Sequence, residues 1–210
     1  MSHKFKKIRN IVCVARGGVF SFLYIPHIIS YLLSKHKNEI REDVELRIGQ
    51  LGMSCGVIMG LLTFLHNDRY FRTLFYHRIG QLRASFFSWY RPGDKYFTIS
   101  ATTKIEGGFQ YAHPYATAIS ANSIGKNFFC LHLTTLGKRD QKSKELLRPT
   151  IGDNVTLGAN VMILGDIHIG NNVIVGGGSV ITKSVPDNCV VVGNPARIIR
   201  KNGEKINIPL

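Results

Sequence analysis

Hydrophobic residues follow two different periods along this chain. Over residues 1–95 apolar side chains recur at three- and four-residue spacing in long segments free of turn clusters, which predicts helices. Farther on the beat is six. Ile151, Leu157, Ile163, Ile169, Val175 and Ile181 stand at equal intervals, and glycine follows four of them, at 152, 158, 170 and 176. Four residues past each stands Val155, Val161, Ile167, Val173, Ser179 and Val185, again aliphatic or small. Neither the 3.6-residue turn of a helix nor the two-residue alternation of a strand gives that interval. Short flat strands that each send one aliphatic side chain inward and then turn a corner do give it, so a solenoid is expected.

The beat also runs upstream, with Ile99, Ile105 and Tyr111 in one phase and Ala118, Ile124, Cys130 and Leu136 in another. Between Tyr111 and Ala118, within QYAHPYATAI, the step is seven, and an extra residue in a solenoid has to bulge outward. His113 stands in that bulge. From Leu136 to Ile151 the step is fifteen and carries GKRDQKSKELLRP, too charged for a core and expected to project as a loop over residues 138–149. Two breaks in a regular wall are the places to look for chemistry.

Within the helical half, IGQLGMSCGVIMGLLTFL sets Gly52, Gly56 and Gly60 four apart, which on one helix would line a single face open to a neighbouring backbone. Asp68 precedes the next apolar stripe as an expected helix start. The N-terminus places a basic cluster before an apolar run interrupted by Arg16, Gly17, Gly18, Pro26 and His27. Two amphipathic helices broken at Pro26 are expected there, with contact of residues 1–35 to a membrane surface as a further expectation. Pro and Gly come together in WYRPGDKY. The expected organisation is a helical domain over 1–95, a solenoid over 96–187 and a C-terminal segment over 188–210.

With 210 residues, 44% of them hydrophobic, the chain can bury one good core or a core plus a smaller helical domain. Its formal net charge of +14 favours anionic partners such as phosphorylated cofactors or an acidic membrane surface. The excess is spread along the chain and no nucleic-acid-binding motif accompanies it, so nucleic acid is not an expected partner. Cys13, Cys55, Cys130 and Cys189 form no CxxC pair and read as free thiols of a reducing cytoplasm, where the protein is expected, peripherally at the inner membrane surface.

The segment IGDNVTLGANVMILGDIHIGNNVIVGGGSVITKSVPDNCVVVGNPARIIR resembles the hexapeptide-repeat acyltransferases. A helical N-terminal domain, a histidine at a slip, a TLG strand end and a projecting loop, in that order, resemble the serine acetyltransferase branch, which includes acetyltransferases of capsule and exopolysaccharide synthesis. The resemblance implies an α+β protein with a left-handed parallel β-helix, assembled as a trimer or a dimer of trimers, with acetyl-CoA between neighbouring subunits.

In that branch a DHATG motif carries the catalytic histidine. Here AHPYA stands in its place, so the resemblance makes His113 the general base. The chemistry suits imidazole, which can accept a hydroxyl's proton during attack on a thioester and pass it to the leaving thiolate. Thr98, Glu106 or a backbone carbonyl are the candidates for orienting its other ring nitrogen. The branch's DRHPKI loop corresponds to LLRPTI, so Leu147 and Arg148 replace its arginine and second histidine, and Ala112 replaces the aspartate before the base. Groups that would hold a free amino acid's charges are therefore missing, which favours a sugar hydroxyl as acceptor. L-serine, in cysteine biosynthesis, is the alternative acceptor, and a non-catalytic β-helix scaffold the alternative role.

By the same resemblance Gly137, Gly158, Gly176 and Gly177 let backbone N–H groups approach the pantetheine arm, while Lys138, Lys183 and Arg197 lie near the cofactor's phosphates and adenine. No metal is expected. The γ-type carbonic anhydrases hold zinc on a similar β-helix, but His113, His132 and His168 lack their HxxxxH spacing and a common frame.

Overall fold

The computed structural model describes residues 3–139 and 147–210, with the side chains of residues 3–7 outside the description. The chain divides into two units, Met1–Lys95 and Tyr96–Leu210. In the first unit the described helices are α1 (His3–Val19), α2 (Ile25–Leu32), α3 (Lys37–Leu51), α4 (Val57–Asn67), α5 (Arg69–Ile79) and α6 (Gln81–Ser88).

The N-terminal break does not fall at Pro26. A 3-10 turn over Ser21–Tyr24 separates α1 from α2, and Pro26 occupies the first turn of α2, where its missing N–H costs nothing. Nor do the three glycines share a helix. Gly52 ends α3 in a left-handed conformation (φ 63°), Gly56 caps the start of α4, and only Gly60 lies within a helix, where a Cβ would come 2.6 Å from Ile48 Cδ1. Asp68 caps α5 as expected, its Oδ1 accepting from the backbone N–H of Tyr70 and Phe71. No described helix is long and apolar enough to cross a membrane, although Ile8–Val19 and Ser21–Leu32 together pass that test as a pair bent by 70°.

Tyr24, Val44, Leu61, Leu65, Phe71 and Phe75 form the centre of this unit. His27 is buried among them, its Nε2 3.2 Å from the Tyr76 hydroxyl and its Nδ1 3.4 Å from that of Tyr90. Burial, then the nearby cations Arg72 and Arg91, lowers its pKa to about 4. An unfolded chain binds the proton at about pH 6.5 and the folded one only near 4, so stability is complete above 6.5 and falls as pH drops through that window. Chemical denaturation at stepped pH is expected to lose up to about 3 kcal/mol between pH 6.5 and 4. His27→Gln, which cannot titrate there, should flatten that part of the profile.

The second unit is built from β1 (Phe97–Ile99), β2 (Lys104–Ile105), β3 (Gln110–Tyr111), β4 (Thr117–Ile119), β5 (Ser123–Ile124), β6 (Phe129–Cys130), β7 (Thr135–Gly137) and β8 (Thr150–Ile151). It continues with β9 (Thr156–Leu157), β10 (Met162–Leu164), β11 (His168–Ile169), β12 (Ile174–Val175), β13 (Val180–Ile181), β14 (Cys189–Val192), β15 (Arg197–Lys201) and β16 (Glu204–Pro209). Every third strand pairs in parallel with the one a coil away, giving three sheets: β1-β4-β7-β10-β13, β2-β5-β8-β11 and β3-β6-β9-β12-β14, the last extended antiparallel by β15 and β16. The result is a solenoid, a parallel β-helix of about five coils. The six-residue beat from Ile151 to Ile181 is its inward register, each of those side chains being buried.

Its corners explain the repeat chemistry. Asn127, Asn154, Asn172 and Asn188 stack at one corner with φ of 55–56°, a left-handed conformation asparagine tolerates. Each side-chain amide donates to the next one's carbonyl at 2.9–3.0 Å. Buried Phe97, Phe109, Tyr111 and Phe128 close the first coils, and the Cys130 thiol, wholly enclosed, is pushed up to about 12 by burial.

One phase assignment is corrected. Ala118 is exposed and Ile119 is buried, paired with Ile99 and Leu136 on either side. The step from Tyr111 is therefore eight and the next, to Ile124, is five: the corner gains two residues and the following one gives one back. Of the loop expected over 138–149, residues 140–146 lie outside the described residues.

Candidate active site

His113 occupies the widened corner between β3 and β4 and is exposed. Both His113 (φ 50°) and Ala116 (φ 51°) are left-handed, and the Tyr115 N–H donates to the His113 carbonyl at 2.7 Å. The equivalent corner of the next coil carries one such residue, Leu133 (φ 60°). Two non-glycine residues in this region, one of them an alanine without a polar side chain to offset it, give this corner local backbone strain. Beside it, Tyr115 and Tyr96 are both half-exposed, with ring centroids 5.2 Å apart.

Neither proposed orienting residue reaches His113: among the described residues no hydrogen bond involves its ring. Thr98 faces outward on β1 opposite Ala118, well along the strand from the corner. Glu106 follows β2, and the strand β3 lies between it and His113.

Arg148 sits at the other end of β4, where the 138–149 excursion returns. It is only 5% exposed. Its Nη1 donates to the hydroxyls of Ser100 and Ser120 at 3.2 Å each, and its Nη2 to that of Thr102 at 2.9 Å. The Asn122 amide donates to the Arg148 carbonyl at 2.7 Å and fixes the backbone. Arg148, Ser100, Thr102 and Ser120, together with Thr135, Gly137 and Lys138, line a cavity of about 440 Å³. Gly137 faces open space, since a Cβ there would meet nothing within 4 Å. Hydroxyl-bearing Ser100, Thr102 and Ser120 escaped the reading of the sequence. The register Ile99↔Ile119 puts Ser100 and Ser120 on adjacent coils, a signal visible only once the corner's true length is known.

The remaining cofactor candidates divide. Gly158, Gly176 and Gly177 lie at the corner below His113, where Cβ atoms on Gly158 and Gly176 would come 2.6 Å from Gly177 N and 2.7 Å from Val192 Cγ1. Close stacking of coils is sufficient reason for these two glycines. A Cβ on Gly177 would lie 3.0 Å from the Ala159 carbonyl oxygen. Lys183 is exposed and donates to the Leu210 carbonyl at 2.9 Å; Arg197 on β15 is held by Asn207, its Nε donating to Oδ1 at 2.6 Å. Gly137 and Lys138 share the cavity with Arg148, whereas His113 stands at the opposite end of β4. Among the described residues no group of three or more His, Cys, Asp or Glu is placed to hold a metal ion.

Residues 148–183 match the family described as bacterial transferase hexapeptide (six repeats). Over 103 residues the chain is 47% identical to an Escherichia coli K12 protein named as a colanic acid biosynthesis acetyltransferase, WcaB, a match that spans 49% of this chain and 62% of that one. It is 42% identical over 73 residues to a serine acetyltransferase of Synechococcus elongatus, covering 35% of this chain and 30% of the relative. The matches thus span less than two thirds of these relatives' length. Among solved structures, the Neisseria gonorrhoeae serine acetyltransferase superposes with a TM-score of 0.63 at 26% identity, over 81% of this chain and 68% of that one. The Brucella abortus serine acetyltransferase in complex with coenzyme A gives 0.63 at 28%, over 80% and 68%. The chain combines the hexapeptide repeat of the bacterial transferases with the fold of the serine acetyltransferases.

Proposed function

We propose that the protein is an acetyl-CoA-dependent O-acetyltransferase whose acceptor is a sugar hydroxyl of a capsule or exopolysaccharide. The observation that carries this reading is the widened, strained corner that exposes His113 on a hexapeptide β-helix. The imidazole takes the proton of the acceptor hydroxyl as its oxygen attacks the thioester carbonyl. Collapse of the tetrahedral intermediate breaks the C–S bond, and the same proton goes to the departing CoA thiolate. The protein forms a trimer, in which a neighbouring subunit completes the groove for acetyl-CoA.

Several features support a sugar over L-serine. Ala112 offers no charge to an amino acid's ammonium. The Tyr96–Tyr115 pair beside His113 offers apolar ring faces, and the cavity near Arg148 is lined by hydroxyls suited to a polyhydroxylated ligand. WcaB, the 47% identical relative, carries a polysaccharide pathway in its name. Exposed Ile8, Ile11, Val12, Phe22 and Leu33, with Arg9 and Arg16 between them in the chain, support a cytoplasmic protein resting against a membrane surface, where such a polymer is assembled.

The test is CoA release from acetyl-CoA with L-serine and with a panel of monosaccharides, nucleotide sugars and oligosaccharides. At least one carbohydrate is expected to give a kcat/KM more than about tenfold above that of L-serine. Efficient, saturable acetylation of L-serine overturns the acceptor. Binding of acetyl-CoA with no turnover on any acceptor favours a scaffold.

A further inference from the structure

Among the described residues the guanidinium of Arg148 is enclosed without a counter-charge. All its described side-chain partners are neutral hydroxyls, those of Ser100, Ser120 and Thr102, and its buried Nε has no acceptor. Three of its five N–H groups are thereby used, and Nη2 keeps one for a further acceptor. Arginine stays protonated even when buried, and a buried cation paired only with neutral groups is costly. The protein meets that cost at the edge of an open 440 Å³ cavity, which Lys138 also lines and to which no Asp or Glu contributes among the described residues.

We infer that this cavity is an anion-binding subsite, in which Arg148, assisted by Lys138, seats a carboxylate or phosphate carried by the sugar acceptor. This rests on reading the protein as an acetyltransferase acting on sugars, and it narrows the substrate class from sugars in general to acidic or phosphorylated ones. The chemistry selects such groups. Carboxylates and phosphates accept strong charge-assisted bonds from a guanidinium, and the three hydroxyls around Arg148 hold it in a single orientation before the ligand arrives. A neutral sugar leaves the charge uncompensated. The hydroxyls of Ser100, Ser120 and Thr135 remain to bond the rest of the ring.

Calorimetric titration of the intact protein with D-glucuronate, D-glucose 6-phosphate and D-glucose separates the two anions from each other and both from the neutral ring. One of the two anionic sugars is expected to bind at least about tenfold more tightly than glucose. Arg148→Gln should abolish that preference and His113→Ala should keep it. If Arg148→Gln fails to fold, Lys138→Gln, which changes the second cation lining the cavity, should weaken the anionic sugar by at least about threefold with glucose unaffected. Equal binding of all three sugars, or an anionic preference that survives both Arg148→Gln and Lys138→Gln, overturns the subsite.

The two readings fail separately. Acetylation of neutral sugars as fast as of acidic ones, indifferent to Arg148, keeps the transferase and removes the anion seat. An anionic preference lost with Arg148, in a protein that releases no CoA with any acceptor, keeps the seat and removes the transferase.

Discussion

His113→Ala is expected to lower acetyl-transfer turnover about 10²–10⁴-fold while leaving acetyl-CoA affinity nearly unchanged. A hydroxyl is a poor nucleophile until its proton is taken, and among the residues of the widened corner from Ala112 to Ala116 His113 carries the side chain suited to act as base. Alanine is an imperfect probe, because position 113 has φ 50° and an alanine there pays for the backbone as well as for the lost ring. His113→Asn separates the two costs. Asparagine tolerates the left-handed region, as it does at 127, 154, 172 and 188 in this chain, but it is no base. Equal and large losses in both variants, with melting temperatures close to the parent's, assign the effect to proton transfer. Full activity in His113→Asn, measured as CoA release with the best carbohydrate acceptor, would sink the mechanism.

The inward register was legible wherever the repeat is uninterrupted, because one buried aliphatic per strand leaves a mark that no other element leaves. It failed at Ala118, and for a physical reason. Ala118 and Ile119 are both apolar, so a period alone cannot say which faces inward; the two-residue gain at the His113 corner and the one-residue loss before Ile124 add up to the same single slip. The place of the site was thus readable, and its local geometry was not. Pro26 and Gly52 misled for a related reason, since each is compatible with two roles that only packing separates: proline as a breaker or as a first-turn residue, glycine as a close-packing surface or as a left-handed cap. The cradle around Arg148 was beyond the sequence altogether. Ser100, Thr102 and Ser120 come from two coils, and nothing in their spacing to Arg148 marks them as its partners.

Asp43→Ala is expected to destabilise the helical unit by about 3–5 kcal/mol, enough to move the folding equilibrium more than a hundredfold. Asp43 on α3 and Arg78 on α5 form an ion pair in which both side chains are 2% exposed. Arg78 Nε donates to Oδ2 at 3.0 Å and its Nη2 to Oδ1 at 3.2 Å, a two-pronged geometry that uses both carboxylate oxygens. Removing the carboxylate leaves a buried guanidinium without the charge that faces it. The pair itself contributes much less than that loss suggests, because forming it required both charges to be desolvated. Asp43→Leu combined with Arg78→Met should therefore be far less destabilising than Asp43→Ala alone, recovering most of the lost stability. Urea unfolding of the intact chain, followed by circular dichroism at a helix wavelength, makes the comparison. A double variant as unstable as the single one would show that the pair holds α3 to α5 by its own attraction, and that the cost of an unpaired buried charge is not what the single variant measures.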